Sequence, residues 1–85
     1  VVRWPGKVKP GTKSERLVCL TDIMATCAAV AGVKLPDDAA EDSIGFAAEW
    51  EPAKGAPRRT GLVVQSVNGS FAVREGQWKL CLCPG

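Results

Sequence analysis

The sequence predicts an α/β protein, present here as a small α+β piece. That piece holds one strand of a larger mixed sheet, one amphipathic helix and a C-terminal three-stranded antiparallel meander. Three observations predict it. Apolar residues recur at Leu20, Ile23, Met24, Cys27, Val30 and Ala31, the spacing of a helix with one buried stripe. The last third alternates apolar and polar residues between the turn signals Asn68-Gly69 and Glu75-Gly76. Val1–Trp4 reads as a buried strand, and so short a strand cannot stand without partners.

Taken in order, Val1–Trp4 feeds a loop with turns at Pro5-Gly6 and Pro10-Gly11. In such pairs proline presets φ for the first corner and glycine takes the corner with positive φ. The stretch Leu17–Gly32 is the element around which the chain is organised. Thr21 or Asp22 caps its helix, and an aspartate in the first turn suits the positive end of the dipole. Gly32 stops it in the place where a left-handed residue is usually needed. Ala25, Ala28 and Ala29 keep neighbouring faces small enough for close packing. Pro36 biases Leu35 to an extended conformation, and an acidic loop over Asp37–Asp42 follows. Ser43 is placed to cap a short helix-like segment through Ile44, Phe46, Ala47 and Trp50. Pro52–Arg59 reads as an exposed linker. Strands are expected at Leu62–Ser66, Ser70–Arg74 and Gln77–Leu82, with Asn68-Gly69 as a two-residue hairpin turn. Phe71 and Val73 share one face, and Trp78, Leu80 and Leu82 point inward, away from Gln77, Lys79 and Cys81. That apolar face needs a cover, and the helix is the expected one.

Length and charge bound the function. Eighty-five residues make at most one small domain, with a core that buries only about 60% of the unfolded surface. The partnerless start and a chain that stops at Cys83-Pro84-Gly85 lead to the expectation of a piece of a longer protein. Net charge is +2, and the basic residues before position 17 alternate through a Pro/Gly-rich loop. That is a solvated loop rather than the dense basic face, interleaved with aromatics, that nucleic acid needs. No run is long and apolar enough to span a membrane. Of the four cysteines, Cys27 falls on the apolar stripe and reads as a small core residue. Cys81 and Cys83, two apart in a strand, point the same way and cannot easily bridge one another. A disulfide from a helix cysteine to this pair stays open. A zinc site is disfavoured by the C-x-C spacing and by a chain without histidine. Asn68-Gly69-Ser70 is also a glycosylation sequon, although a tight turn accounts for it without a sugar.

Three stretches in series carry a family likeness: VVRWPGKVKPGT; LVCLTDIMATCAAVAGVKLP, with Asp22, Thr26, Ala31 and Gly32 at its key spacing; and NGSFAVREGQWKL. Together they resemble the C-terminal region of arylsulfatase-type sulfatases, in the alkaline-phosphatase-like superfamily, from Val1 to Leu82. The resemblance implies a division into residues 1–35, the end of the main domain; 36–60, an acidic and Pro/Gly-rich connection; and 61–85, a small antiparallel sheet. It implies hydrolysis of sulfate esters by the longer protein, and a sulfated small molecule or polysaccharide as its substrate. It also implies a periplasmic or secreted setting, and an N-terminal catalytic part of the same chain as partner.

The family's nucleophile is a formylglycine made within C-x-P-S-R or C-x-A-x-R, assisted by a divalent cation, usually calcium, and by Lys and His. None of these motifs matches here. Cys19, Cys27 and Cys81 are followed by other residues, and Asp37-Asp38 reads as a solvated loop. In the family the metal ligands, nucleophile and catalytic lysine lie upstream of the W-P-G strand. The resemblance therefore implies no catalytic residue and no metal ligand within this segment. Many relatives carry His-His-Ser at the start of the meander, where this chain has Val64-Gln65-Ser66. Gln65 and Ser66 are the substrate-side candidates. A related phosphatase or phosphonate-ester hydrolase, and a non-enzymatic interaction module, are the alternatives. Asp22 and Thr26 are expected to cap and pack the helix, and Arg74 and Lys79 to face solvent.

Overall fold

The computed structural model describes residues 1–50 and 59–83. Helix α1 spans Asp22–Ala31, a 3-10 turn spans Ala47–Trp50, and three strands follow: β1, Gly61–Gln65; β2, Phe71–Glu75; β3, Trp78–Leu82. The strands pair antiparallel in the order β1-β2-β3, so the class is α+β, as expected. No helix among the described residues is long and apolar enough to cross a membrane.

Val1–Trp4 forms no strand. A ladder needs a partner, and no other described segment pairs with it. The turn after it is as expected: the Lys7 N–H donates to the Trp4 carbonyl at 3.1 Å, and Gly6 takes φ +84°. Gly32 ends α1 at φ +69°, with the Val33 N–H on the Ala28 carbonyl and the Gly32 N–H on that of Ala29. This is the paired closure of a Schellman motif.

The helix is turned over relative to expectation. Its buried residues are Asp22 and Thr26, while Leu20, Ile23, Met24, Val30 and Cys27 are exposed. Cys27 is therefore a surface thiol and not part of a core. The cause lies in residues 43–46, whose backbone presents N–H groups to the polar side of α1 (described below). Polar side chains gather where those donors are, and the apolar stripe is left outward. Close packing does occur, as the small residues suggest: a Cβ on Gly45 would sit 3.4 Å from the carbonyl carbon of Ala25. Ser43 does not cap its own segment; its hydroxyl accepts the Ala25 N–H at 3.0 Å. Trp50 meets Trp4 and Phe46 edge-on, each pair of ring centroids 5.9 Å apart.

In the meander, Val63 lies opposite Val73 and Val73 opposite Leu80, with Phe71 opposite Leu82. Opposite residues share a face, so Val63, Phe71, Val73, Trp78, Leu80 and Leu82 lie on one side, matching the alternation in the sequence. That side is uncovered, however, and Trp78 keeps 84% of its surface exposed. Helix α1 packs against the 3-10 turn and not against any strand, which corrects the expected cover. Ala72, on the central strand, is the one buried apolar residue among those described.

The first hairpin also differs in detail. Ser66 and Ser70 still pair, N–H to carbonyl at 2.8 Å, so the loop is the three residues Val67-Asn68-Gly69. Only Gly69 takes positive φ, +82°. A three-residue loop needs one left-handed residue where a two-residue type I′ turn needs two. The second hairpin turns at Gly76-Gln77, with Gly76 at φ +55°. Most of the Pro52–Arg59 linker lies outside the described residues.

Candidate functional site

Asp22 opens α1 with a carboxylate that is 1% exposed. Four N–H groups converge on it. The Cys19 backbone donates to Oδ2 at 3.1 Å and the Ile44 backbone to Oδ1 at 3.0 Å. Arg59 supplies a two-pronged fork, Nε to Oδ2 at 3.1 Å and Nη2 to Oδ1 at 2.5 Å. The same Nη2 reaches the Asp42 carbonyl. One turn on, the Thr26 hydroxyl donates to the Asp22 carbonyl at 2.7 Å and accepts the Phe46 N–H at 3.0 Å. Aspartate and threonine four residues apart lie on one face of a helix, which is why their pairing holds residues 44–46 against it.

Burial pushes the Asp22 carboxyl up, but the hydrogen bonds from Arg59, Ile44 and Cys19, with the charge of Arg59, outweigh it. They hold the group well below the usual carboxylate range. The bond to Asp22 raises Arg59 above its ordinary value. Arg59 therefore does not lie in an exposed linker; its side chain is 13% exposed. A second arginine works in parallel. Arg16 donates to Glu49 Oε1 at 3.2 Å and to the Gly45 carbonyl at 3.1 Å. Both arginines were silent in the sequence, because no local pattern marks a charge whose partner lies more than thirty residues away.

Beside this polar centre runs an open groove. Cys19–Thr21, just ahead of α1, with Glu41, Asp42 and Ile44 form one wall, strands β1 and β2 the other, and Arg59 lies between them. Gln65, at the end of β1, lines the groove; Ser66 does not. The Ser66 hydroxyl accepts the Ser70 N–H at 3.1 Å and the Ser66 carbonyl accepts that of Gly69, so this residue holds the hairpin. Arg74 also lines the groove, and its Nε reaches the Gly76 carbonyl at 3.4 Å.

The described residues do not fit the calcium ion or the formylglycine that the resemblance implies. Both Asp22 oxygens are taken by N–H donors, and no three of His, Cys, Asp and Glu gather as a metal site among the described residues. The four cysteines are free thiols. What the arrangement does is mechanical: it fixes a helix, a loop and the approach to a sheet around one buried charge.

Comparison with known proteins supplies the context. No family model matches the chain. An N-acetylgalactosamine-6-O-sulfatase from Bacteroides thetaiotaomicron is 40% identical over 79 residues, 93% of this chain and 15% of the relative. Arylsulfatase A from Bos taurus is 34% identical over 80 residues, 89% of this chain and 15% of the relative. An ulvan-active sulfatase from Formosa agariphila is 45% identical over 38 residues, 45% of this chain and 8% of the relative. The chain thus spans about 15% of the length of the relatives it matches most fully.

Proposed function

Because this chain is a homologue of sulfatases over nearly its whole length, we propose that it is a C-terminal segment of a sulfate-ester hydrolase and holds none of that enzyme's reacting groups. The observation that carries this reading is the 40% identity across 93% of the chain. The calcium ion and the formylglycine belong, on this reading, to an N-terminal catalytic part of the same polypeptide. Residues 1–35 end the main domain, 36–60 connect, and 61–85 form a small sheet. The substrate is a sulfated small molecule or polysaccharide.

Two features support a segment completed by further chain. Leu20 just ahead of α1, Ile23, Met24 and Val30 on its outward side, and Val63, Trp78, Leu80 and Leu82 on the apolar face of the meander are exposed, and grouped apolar surface of that kind marks contacts with other polypeptide. The polar centre, in contrast, is satisfied within the segment. Gln65 forms part of one wall of the substrate cleft. Ser66 contributes through the hairpin that carries Gln65, since its hydroxyl is already engaged.

The test is to express the complete gene product that carries these residues and to follow release of inorganic sulfate from aryl and saccharide sulfate esters. Sulfate release that is lost on replacing the cysteine of an upstream modification motif is the expected result. A complete product without such a motif, which hydrolyses phosphate esters instead, overturns the reading.

A further inference from the structure

We propose that the fork of Arg59 on Asp22 is a positioning device that ties the two groove walls together at their base and so sets the placement of Gln65. The proposal rests on the reading of this groove as part of a sulfatase cleft. Three observations carry it. First, no Cα of α1 comes within 8 Å of a strand Cα, so the helix does not lie on the sheet and close helix–sheet packing does not set the angle between the walls. Second, among the described residues, the hydrogen bonds that join the helical half to the meander side all begin at Arg59: two to Asp22 and one to the Asp42 carbonyl. Third, β1 begins at Gly61, with only Thr60 between it and Arg59, so the direction in which the guanidinium is held is passed to the strand with little slack.

The chemistry of the fork matters as much as its charge. A guanidinium presents two parallel donors in one plane, and a carboxylate that accepts both fixes distance and orientation together. An ammonium at the same place fixes distance alone. Asp22 is itself held by Cys19 and Ile44, so the fork docks on an oxygen pair that does not turn. Gln65, at the far end of β1, then inherits its place in the groove from a bond made at the near end. Arg59 is accordingly a positioning residue and not one that meets the reacting atoms.

The experiment uses the complete gene product. Arg59→Gln is expected to raise KM about tenfold for a saccharide sulfate large enough to reach Gln65, with kcat changed less than about twofold. That split marks lost binding rather than lost chemistry. A crystal structure of the variant is expected to show the Thr21–Gln65 separation altered by about 1 Å or more, a displacement of the size that matters in a binding cleft. If Arg59→Gln does not accumulate as folded protein, Arg59→Lys replaces it and is expected to show a smaller rise in KM in the same direction. Unmoved walls, or a fall in kcat and yield at constant KM, overturns the proposal and leaves Arg59 merely structural. If the wild-type product releases no sulfate from any ester, the functional reading fails, and the wall separation alone decides whether the fork positions the strand.

Discussion

At the residue scale, Asp22 is the most deeply buried of the described residues. Removing one partner of a buried ion pair leaves the other charge unsatisfied, at a cost of about 3–5 kcal/mol. Asp22→Ala is therefore expected to lower unfolding stability by that amount in a denaturant titration, because Arg59 and two backbone N–H groups lose their acceptor. The acid response follows from the same group. Its folded pKa lies below the unfolded value of 3.8, so folding favours the ionised form. The stabilisation is complete above about pH 5 and falls as pH drops below 4 toward the folded pKa. Unfolding midpoints measured from pH 6 to pH 2 are expected to decline over that range in the wild type and much less in Asp22→Asn. Asp22 was legible only as a helix cap, a role that neither it nor Thr21 takes, since no side chain caps α1; that its carboxylate instead collects Cys19, Ile44 and Arg59 was not, since partners 22 and 37 residues away leave no local trace.

At the element scale, α1 shows what periodicity can and cannot reveal. The spacing located the helix, and Gly32 located its end. The same spacing misassigned the inward face, because periodicity identifies a stripe but not what lies opposite it. Here the opposing layer is backbone from Ile44 to Phe46, and N–H donors recruit Asp22 and Thr26. Gly45 lies against the Ala25 backbone, where a Cβ would already be in contact at 3.4 Å and a branched side chain would press on the helix. Gly45→Val is expected to cost about 1–3 kcal/mol by overpacking, read as a lower thermal midpoint with the helical circular dichroism retained below it. The meander was more legible. Alternation placed the strands, and the two Gly-containing turns placed the hairpins, with an error of one loop residue at Val67-Asn68-Gly69 and a shift of one residue at the second turn, which is Gly76-Gln77 and not Glu75-Gly76. Turn chemistry is local, so it survives without knowledge of the rest.

At the scale of the whole molecule, the polar centre is closed and the apolar surfaces are open. A single buried apolar residue among those described, Ala72, does not make a core. The 85-residue chain in isolation is therefore expected to bind a hydrophobic dye and to self-associate. Leu80→Lys, in the middle of the uncovered sheet face, is expected to reduce both, as light scattering and dye fluorescence will show. In the complete gene product the same substitution buries a charge and is expected to destabilise by about 2–4 kcal/mol. Gain in the isolated chain with loss in the complete product identifies the face as internal; gain in both identifies it as solvent-facing. The order in which Asp22 acquires its partners has a further consequence, during synthesis. A ribosome that has just made α1 has delivered only the Cys19 amide; Ile44 comes 22 residues after Asp22 in the chain and Arg59 37 residues after it. Until then the carboxylate faces water or the tunnel mouth, and a nascent chain stalled short of residue 59 holds a helix start that has not yet locked.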